Sequence, residues 1–485
     1  MSGRDGTAEL LRAASLLHQQ GRFAEAARGY RAVIQSAPHH ATSWYNLALC
    51  ERNSGQLEQA LASYAQAIRL GIDRPEEAHL NRAVIFSDLL RRDDEAEREL
   101  RKALSLNARY VPALLNLANL SEDLGRREAA RELYEQAMAA DPHCWEALSR
   151  YANLLDKAAD LSNVAPRLRA ALAAPSMAAA DKAGLGFALG RALDRLGAFP
   201  DAFAAYKQAN EESQRAYGAR YDWDAAERLI GRIADAFPAD SAPPPRGEGG
   251  APIFICGMFR SGSTLAEQVL AGHRRITPCG EVDVMQQLVR TSLTPFPEKM
   301  LQATTATFAA LAERYDARIK RLFPRADLVT DKWLNNYLYV GLIKRMFPAA
   351  KIVHTVRNPL DNVLSVYFLH LDASFGYASN LMNTAHQLRM SRRLMGHWKT
   401  CFPNDVIEFS YDDFVSKPQE TAEALVAALG LEWDQECLAF HRRDNAVKTA
   451  SVWQVRQPLY SSSSGRWKNY EQQMEPVRAY LEDLL

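Results

Sequence analysis

The sequence predicts a multidomain chain, an all-α repeat solenoid followed by an α/β domain built on a parallel sheet. Three observations carry this prediction. A helical pattern recurs through the first 215 residues, a proline- and glycine-rich stretch interrupts the chain near 242–250, and from Pro252 onward short β-rich runs alternate with helical ones. The 485 residues allow roughly two to four domains, each able to bury a sizeable core.

The repeat comes first. One unit contains Trp44, Leu47, Ala48, Gly55, Ala60, Tyr64 and Ala67, a spacing that suits two helices joined by a glycine turn. A small residue of the second helix recurs at Ala26, Ala60, Ala96, Ala130, Val164 and Ala202, at intervals of 34, 36, 34, 34 and 38 residues. Four residues after each stands a bulky one: Tyr30, Tyr64, Leu100, Tyr134, Leu168 and Tyr206. Glycine falls five residues before the small residue at Gly21, Gly55, Gly125 and Gly197, whereas Arg91 and Ala159 occupy that place in the third and fifth units. Pro38 and Pro142 close two of the units, where a helix should stop. Small residues let helices approach closely and the bulky one fills the gap. The pattern resembles the tetratricopeptide repeat family over about residues 8 to 215, in six units. A solenoid of this kind implies an extended concave surface for a protein or peptide partner.

A helical stretch around Trp223 to Phe237 follows, then Ala242-Pro243-Pro244-Pro245-Arg246-Gly247-Glu248-Gly249-Gly250. The expected organisation is a solenoid with its trailing helix at 8–237, a linker at 238–250 and a catalytic domain at 251–485. Strands are expected at Ile253–Cys256, Asp327–Thr330, Lys351–Val356 and Val406–Phe409, with helices between them.

Lys and Arg total 58, as do Asp and Glu, so the net charge is about zero. An overall basic footprint for nucleic acid is thereby excluded, although one local basic pocket is not. No run approaches the length of a membrane span and the N-terminus lacks the apolar core of a signal peptide, so the expected location is cytoplasmic. The six cysteines are scattered, without C-x-x-C pairs or zinc spacing, and no metal site is expected.

The strongest chemical signal is Ile253-Phe254-Ile255-Cys256-Gly257-Met258-Phe259-Arg260-Ser261-Gly262-Ser263-Thr264-Leu265. A buried strand runs into a glycine-flanked turn and then a helix, which aims backbone N–H groups and a helix N-terminus at one point and suits an anion. The spacing Gly257-x4-Gly262 with Ser263-Thr264 matches a nucleotide phosphate loop except that Ser263 replaces its lysine, and the cation is Arg260. A kinase or triphosphatase lacking that lysine loses its main contact to the terminal phosphates. A second segment, Val353-His354-Thr355-Val356-Arg357-Asn358-Pro359, ends a strand on arginine and places Ser365 eight residues later on a helix. Arginine is the side chain best shaped to grip a phosphate dianion through a fork of N–H groups.

Together these segments resemble the sulfotransferase family, over about residues 251 to 475, and most nearly the tyrosylprotein sulfotransferases and their bacterial relatives. The resemblance implies 3′-phosphoadenosine 5′-phosphosulfate as co-substrate, with no metal. It implies that Arg260, Ser261, Gly262, Ser263 and Thr264 hold the 5′-phosphosulfate, and Arg357 and Ser365 the 3′-phosphate. Glu281, in Pro278-Cys279-Gly280-Glu281, stands at the place of the family's catalytic glutamate, and Lys332 at the place of the lysine that stabilises the transition state. Ser451 matches a serine that assists there, Tyr411 the tyrosine of a Y-x-D/E-L-type segment, and Arg466 a basic residue on the nucleotide. Leu369 departs from the family pattern, which carries a basic residue shortly after the 3′-phosphate serine. His354 is assigned to packing or hydrogen bonding within its strand and His273 to a helix end; Asp361 and Asp412 are assigned to capping and surface roles.

Sulfuryl transfer needs a base for the acceptor hydroxyl and cations where charge develops. The expected function is therefore transfer to an acceptor hydroxyl, with protein tyrosine the leading acceptor ahead of carbohydrate, lipid and small-molecule hydroxyls, and the solenoid recruiting the acceptor or a partner. The alternatives are a scaffold with an inactive sulfotransferase-like domain, and a nucleotide kinase with an altered loop.

Overall fold

The computed structural model describes residues 2–218, 220–238, 251–442, 448–449, 452–456 and 464–485. Ser451, and the expected linker apart from Pro238, lie outside the described residues. The chain forms two compact units: residues 1–122 with 126–147, and residues 123–125 with 148–485.

In the first unit consecutive helices pair: Ser2–Gln19 with Phe23–Ser36, Ala41–Asn53 with Leu57–Arg69, and Pro75–Val84 with Asp93–Leu106. The periodic residues are its core. Ala26, Ala60, Ala96 and Ala130 are fully buried, and so, within 2%, are Tyr30, Tyr64, Leu100 and Tyr134. A buried tyrosine usually finds a partner for its hydroxyl, although that of Tyr64 has none among the described residues. That of Tyr134 donates to Asn119 and Glu122, each at 2.6 Å. The turn glycines Gly21 and Gly55 take φ of 73° and 75°, a conformation that disfavours any side chain. Arg91 stands at the same point of the third unit and still takes φ of 55°. The turn geometry is thus kept where the glycine is not.

The second unit opens with the remaining repeats. Val164, Leu168, Ala202 and Tyr206 are buried in register on helices Ala158–Leu172 and Phe199–Tyr217. Near Ala159 no left-handed turn is needed, because the helix starts at Ala158 from Lys157 in an extended conformation. The trailing helix Trp223–Ala236 buries Ile230 and Ile233, with Phe237 beyond it, in one cluster with Phe254, Val340, Ile352 and Trp398. Phe237 meets Trp398 edge-on at 5.2 Å, and Trp223 stacks on His386 at 4.0 Å. By packing, this helix belongs to the core of the sheet domain.

That domain holds one five-stranded sheet, order β2-β3-β1-β4-β5, with every pairing parallel. The strands are β1 (Ile253–Gly257), β2 (Ile276–Pro278), β3 (Leu328–Lys332), β4 (Lys351–Val356) and β5 (Val406–Ser410). Side chains of β1 alternate between two cores: Phe254 and Cys256 on one face, Ile253 and Ile255 on the other. The sequence pattern missed β2, a three-residue edge strand ending on Pro278, too short for periodicity to register. In such sheets ligands bind beyond the carboxyl ends of the strands, where the order reverses, and here that point is the end of β1.

Candidate active site

All five strands deliver expected site residues at their carboxyl ends. β1 runs into the loop 258–262, β2 into Cys279-Gly280-Glu281, β3 ends on Lys332, β4 leads to Arg357, and β5 to Tyr411.

The loop is shaped by two glycines. A Cβ on Gly257 (φ 147°) would meet the Thr355 carbonyl at 2.6 Å, and one on Gly262 (φ 100°) would press on the Tyr411 ring at 3.1 Å. Between them Arg260 takes φ of 65°, a strained setting for a side chain. Gly262 caps the helix Ser263–Ala271, whose first-turn N–H groups have no partner a turn earlier and point out of the helix end. Ser263 and Thr264 are buried there. The Thr264 hydroxyl lies 3.3 Å from that of Thr449. Ser261 is used differently from the expectation. Its hydroxyl donates to the Met258 carbonyl at 2.6 Å, lies 2.7 Å from the Thr355 hydroxyl and is buried, so it braces the loop.

The segment after β4 docks on this loop. Asn358 caps the helix Pro359–Tyr367 by accepting the N–H groups of Leu360 and Asp361. Ser365 accepts a hydrogen bond from Arg260 Nε at 3.2 Å, and Arg357 donates to the Arg260 carbonyl at 3.4 Å. The Arg357 guanidinium lies 4.8 Å over the Tyr411 ring, so Tyr411 supports the arginine. Arg260, Gly262, Arg357, Ser365 and Tyr411 therefore form one cluster.

On the other side of β1, Lys332 is completely buried and its ammonium donates to Glu281 at 2.7 Å, while Glu281 keeps a side chain 30% exposed. The turn before Glu281 is zipped to β3: Cys279 N–H bonds the Thr330 carbonyl and Lys332 N–H the Gly280 carbonyl, each at 3.2 Å. Next to Lys332, Asp331 is buried, with the Tyr315 hydroxyl at 2.7 Å and the Asn336 amide at 3.0 Å. Burial raises its carboxyl to about 7 against the pull of those two bonds.

His354 is buried within the sheet, and burial, aided by Arg392 and Lys399, lowers it to about 3, so the ring stays neutral. His273 is also buried, with one ring nitrogen 3.0 Å from the Glu432 carbonyl.

Three further placements differ from the sequence reading. Arg466, expected on the nucleotide, pairs with Asp194 of the helix Ala179–Arg195 at 2.6 Å and lies 5.2 Å over Phe368. A carboxylate this close competes with a phosphate for the guanidinium. Asp361, assigned to a cap or the surface, is buried and accepts the N–H groups of Gly465 (2.6 Å) and Trp467 (2.9 Å). Asp412 accepts the Asn358 N–H at 2.6 Å and the Ser464 hydroxyl at 2.8 Å. These two aspartates hold the 464–467 segment against the helix Pro359–Tyr367 and its cap. Asn362, which the sequence did not single out, donates to the Phe259 carbonyl of the loop at 2.7 Å. Leu369 lines a cleft with Asn210, Tyr217, Asp372 and Phe375, and the Phe375 ring meets Phe259 of the loop edge-on at 4.6 Å.

The Sulfotransferase family pattern matches residues 252–435, and Tetratricopeptide repeat patterns match residues 11–75 and 111–144. An uncharacterized protein of Aquifex aeolicus (strain VF5) is 30% identical over 407 residues, 80% of this chain and 52% of that protein. The chain thus spans about half the length of that curated relative. Among solved structures, the sulfotransferase domain of the Synechococcus PCC 7002 olefin synthase is 19% identical with a TM-score of 0.35, covering 46% of this chain and 90% of that one. The sulfotransferase domain from the curacin biosynthetic pathway is 18% identical with a TM-score of 0.31, covering 46% and 99%. The MamA protein is 18% identical with a TM-score of 0.28, covering 43% and 92%. The chain thus joins matches to the tetratricopeptide repeat with a match to the sulfotransferase family, and its described residues form helical repeats before a parallel five-stranded sheet.

Proposed function

We propose that the chain moves the sulfuryl group of 3′-phosphoadenosine 5′-phosphosulfate to an acceptor hydroxyl, with protein tyrosine as the leading acceptor and the repeats recruiting that protein or a partner. The observation that carries this reading is the convergence at the sheet's carboxyl edge. The loop and Arg357 lie on one side of β1 and the Lys332–Glu281 pair on the other.

In this reading the N–H groups at Ser263 and Thr264, with Arg260, hold the 5′-phosphosulfate. Arg357 and Ser365 hold the 3′-phosphate. Glu281 accepts the proton of the acceptor hydroxyl as the oxygen attacks sulfur. The bond from sulfur to the bridging oxygen breaks, and its electron pair leaves on the 5′-phosphate. Lys332 and Arg260 offset the charge that develops on the bridging and sulfuryl oxygens. Ser451 keeps the assisting role that the resemblance implies. Arg466 is left out of the donor site because Asp194 holds it. Ser263 at the lysine position of a phosphate loop supports a 3′-phosphorylated nucleotide over ATP.

The test is turnover of labelled donor with a pool of protein acceptors, together with calorimetry of 3′-phosphoadenosine 5′-phosphate on Arg357→Ala. The expected result is turnover lost in Glu281→Ala and weakened binding in Arg357→Ala. Unchanged affinity in Arg357→Ala, or ATP binding more tightly than the 3′-phosphorylated nucleotide, would sink the assignment.

A further inference from the structure

The helix Ser263–Ala271 that begins at the donor loop carries an acid where a core position expects an apolar residue. Leu265, Ala266, Val269 and Leu270 pack into the domain core around it, while Glu267 is only 3% exposed. A buried carboxyl among such neighbours is costly unless its oxygens are hydrogen-bonded. Glu267 Oε1 accepts two bonds, from the Gly280 N–H at 2.9 Å and from the Thr330 hydroxyl at 2.9 Å. Gly280 immediately precedes Glu281, and Thr330 lies two residues before Lys332 on β3. Gly280 turns with φ of 64°, and a Cβ there would meet nothing within 4 Å, so at this residue the turn is held by its backbone bonds to β3 and to Glu267. One carboxylate oxygen thus ties three pieces of chain: the donor-loop helix, the Glu281 turn and the Lys332 strand.

We propose that Glu267 is a positioning residue of the transfer site, a strut that sets Glu281 and Lys332 in register with the donor loop. The proposal rests on the reading of Glu281 as base and Lys332 as transition-state cation. Glu267 itself does not reach the reacting atoms; it acts through the Gly280 amide. Burial raises its carboxyl above the ordinary range, opposed by Lys332, Thr330 and Gly280 and reinforced by Glu281. A neutral side chain that still offers an acceptor oxygen should therefore serve. A displacement of the base by about 1 Å costs on the order of 10²-fold in rate.

The experiment uses the full chain with Glu267→Gln, Glu267→Met, Thr330→Val and Glu281→Gln. It measures kcat, KM for donor and acceptor, calorimetric affinity for 3′-phosphoadenosine 5′-phosphate, and amide hydrogen exchange at Gly280. Glu267→Met removes the acceptor but keeps the volume. It is expected to lower kcat by about 30- to 100-fold, leave nucleotide affinity near wild type and speed Gly280 exchange. Glu267→Gln is expected to restore both kcat and Gly280 protection. Thr330→Val, which removes one of the two donors, should lower kcat a few-fold and serves as the second reading of the strut if Glu267→Met does not fold. Wild-type kcat in Glu267→Met, or Glu267→Gln as impaired as Glu267→Met, overturns the proposal. Full turnover in Glu281→Gln overturns the base assignment instead, and the strut is then judged by Gly280 exchange alone: unchanged protection in Glu267→Met overturns it, and lost protection upholds it.

Discussion

The two flanks of β1 are built differently. On the β4–β5 side the contacts are many and mutual: Arg260 to Ser365, Arg357 to the Arg260 carbonyl and over Tyr411, Asn362 to the Phe259 carbonyl. On the β3–β2 side stands the ion pair between a buried lysine and a part-exposed glutamate, hung on a turn that β3 and Glu267 hold. A distributed cluster suits binding, because losing one contact leaves the others. An ion pair at the end of a strand suits chemistry, because a reacting group can meet it directly. Under the proposed function, the difference would separate affinity from rate along one strand.

The sharpest way to break this comparison is on the rate side. Glu281→Gln removes the proton acceptor and is expected to lower kcat by about 10² to 10⁴-fold, with little change in calorimetric nucleotide affinity. Arg357→Ala should do the reverse, weakening nucleotide binding by roughly 10- to 100-fold through a lost charge-assisted contact, with kcat at saturating donor much less affected. If either variant shifts both quantities equally, the division along β1 is wrong.

Asp331 offers a subtler probe of the β3 side. Its carboxyl is raised to about 7, chiefly by burial, well above the unfolded value near about 3.9. The native state therefore binds this proton more tightly than the unfolded chain does. The associated stability is complete below about pH 4 and is lost as pH rises through about 7, amounting to a few kcal/mol at most. Urea titrations across that window should show the decline in wild type and a flatter profile in Asp331→Asn. An equally steep decline in the variant would assign it elsewhere.

The smallest effect on chemistry is expected outside both flanks. Arg466→Ala should leave nucleotide affinity unchanged but lower stability by about 1–3 kcal/mol, because it leaves Asp194, a largely buried carboxylate, without its guanidinium. A measured loss of nucleotide affinity in this variant would return Arg466 to the donor site.

What the sequence made legible follows the same line. The repeats were readable because each unit restates one packing solution, so Ala60 and Tyr64 explain Ala130 and Tyr134 as well. The strand-to-loop transitions at Gly257, Lys332 and Arg357 were readable because strand and turn signals are local. The roles of Glu267, Asp361, Asn362 and Arg466 were not, since each is fixed by a partner far along the chain: Thr330, Gly465, Phe259 and Asp194. A buried acid on a helix looks, in one dimension, like any solvated one. Arg91 shows the opposite failure, a turn kept in three dimensions although its sequence signal is gone.

The trailing helix has a consequence for how such a chain can be cut or exchanged. A fragment starting at the proline–glycine stretch would strip Ile230, Ile233 and Phe237 from the core that holds Trp398, remove Trp223 from His386, and deprive Arg466 of Asp194. The unit that can be swapped between proteins without exposing apolar surface therefore begins before these helices. The repeats from residue 148 onward therefore belong to one compact unit with the five-stranded sheet.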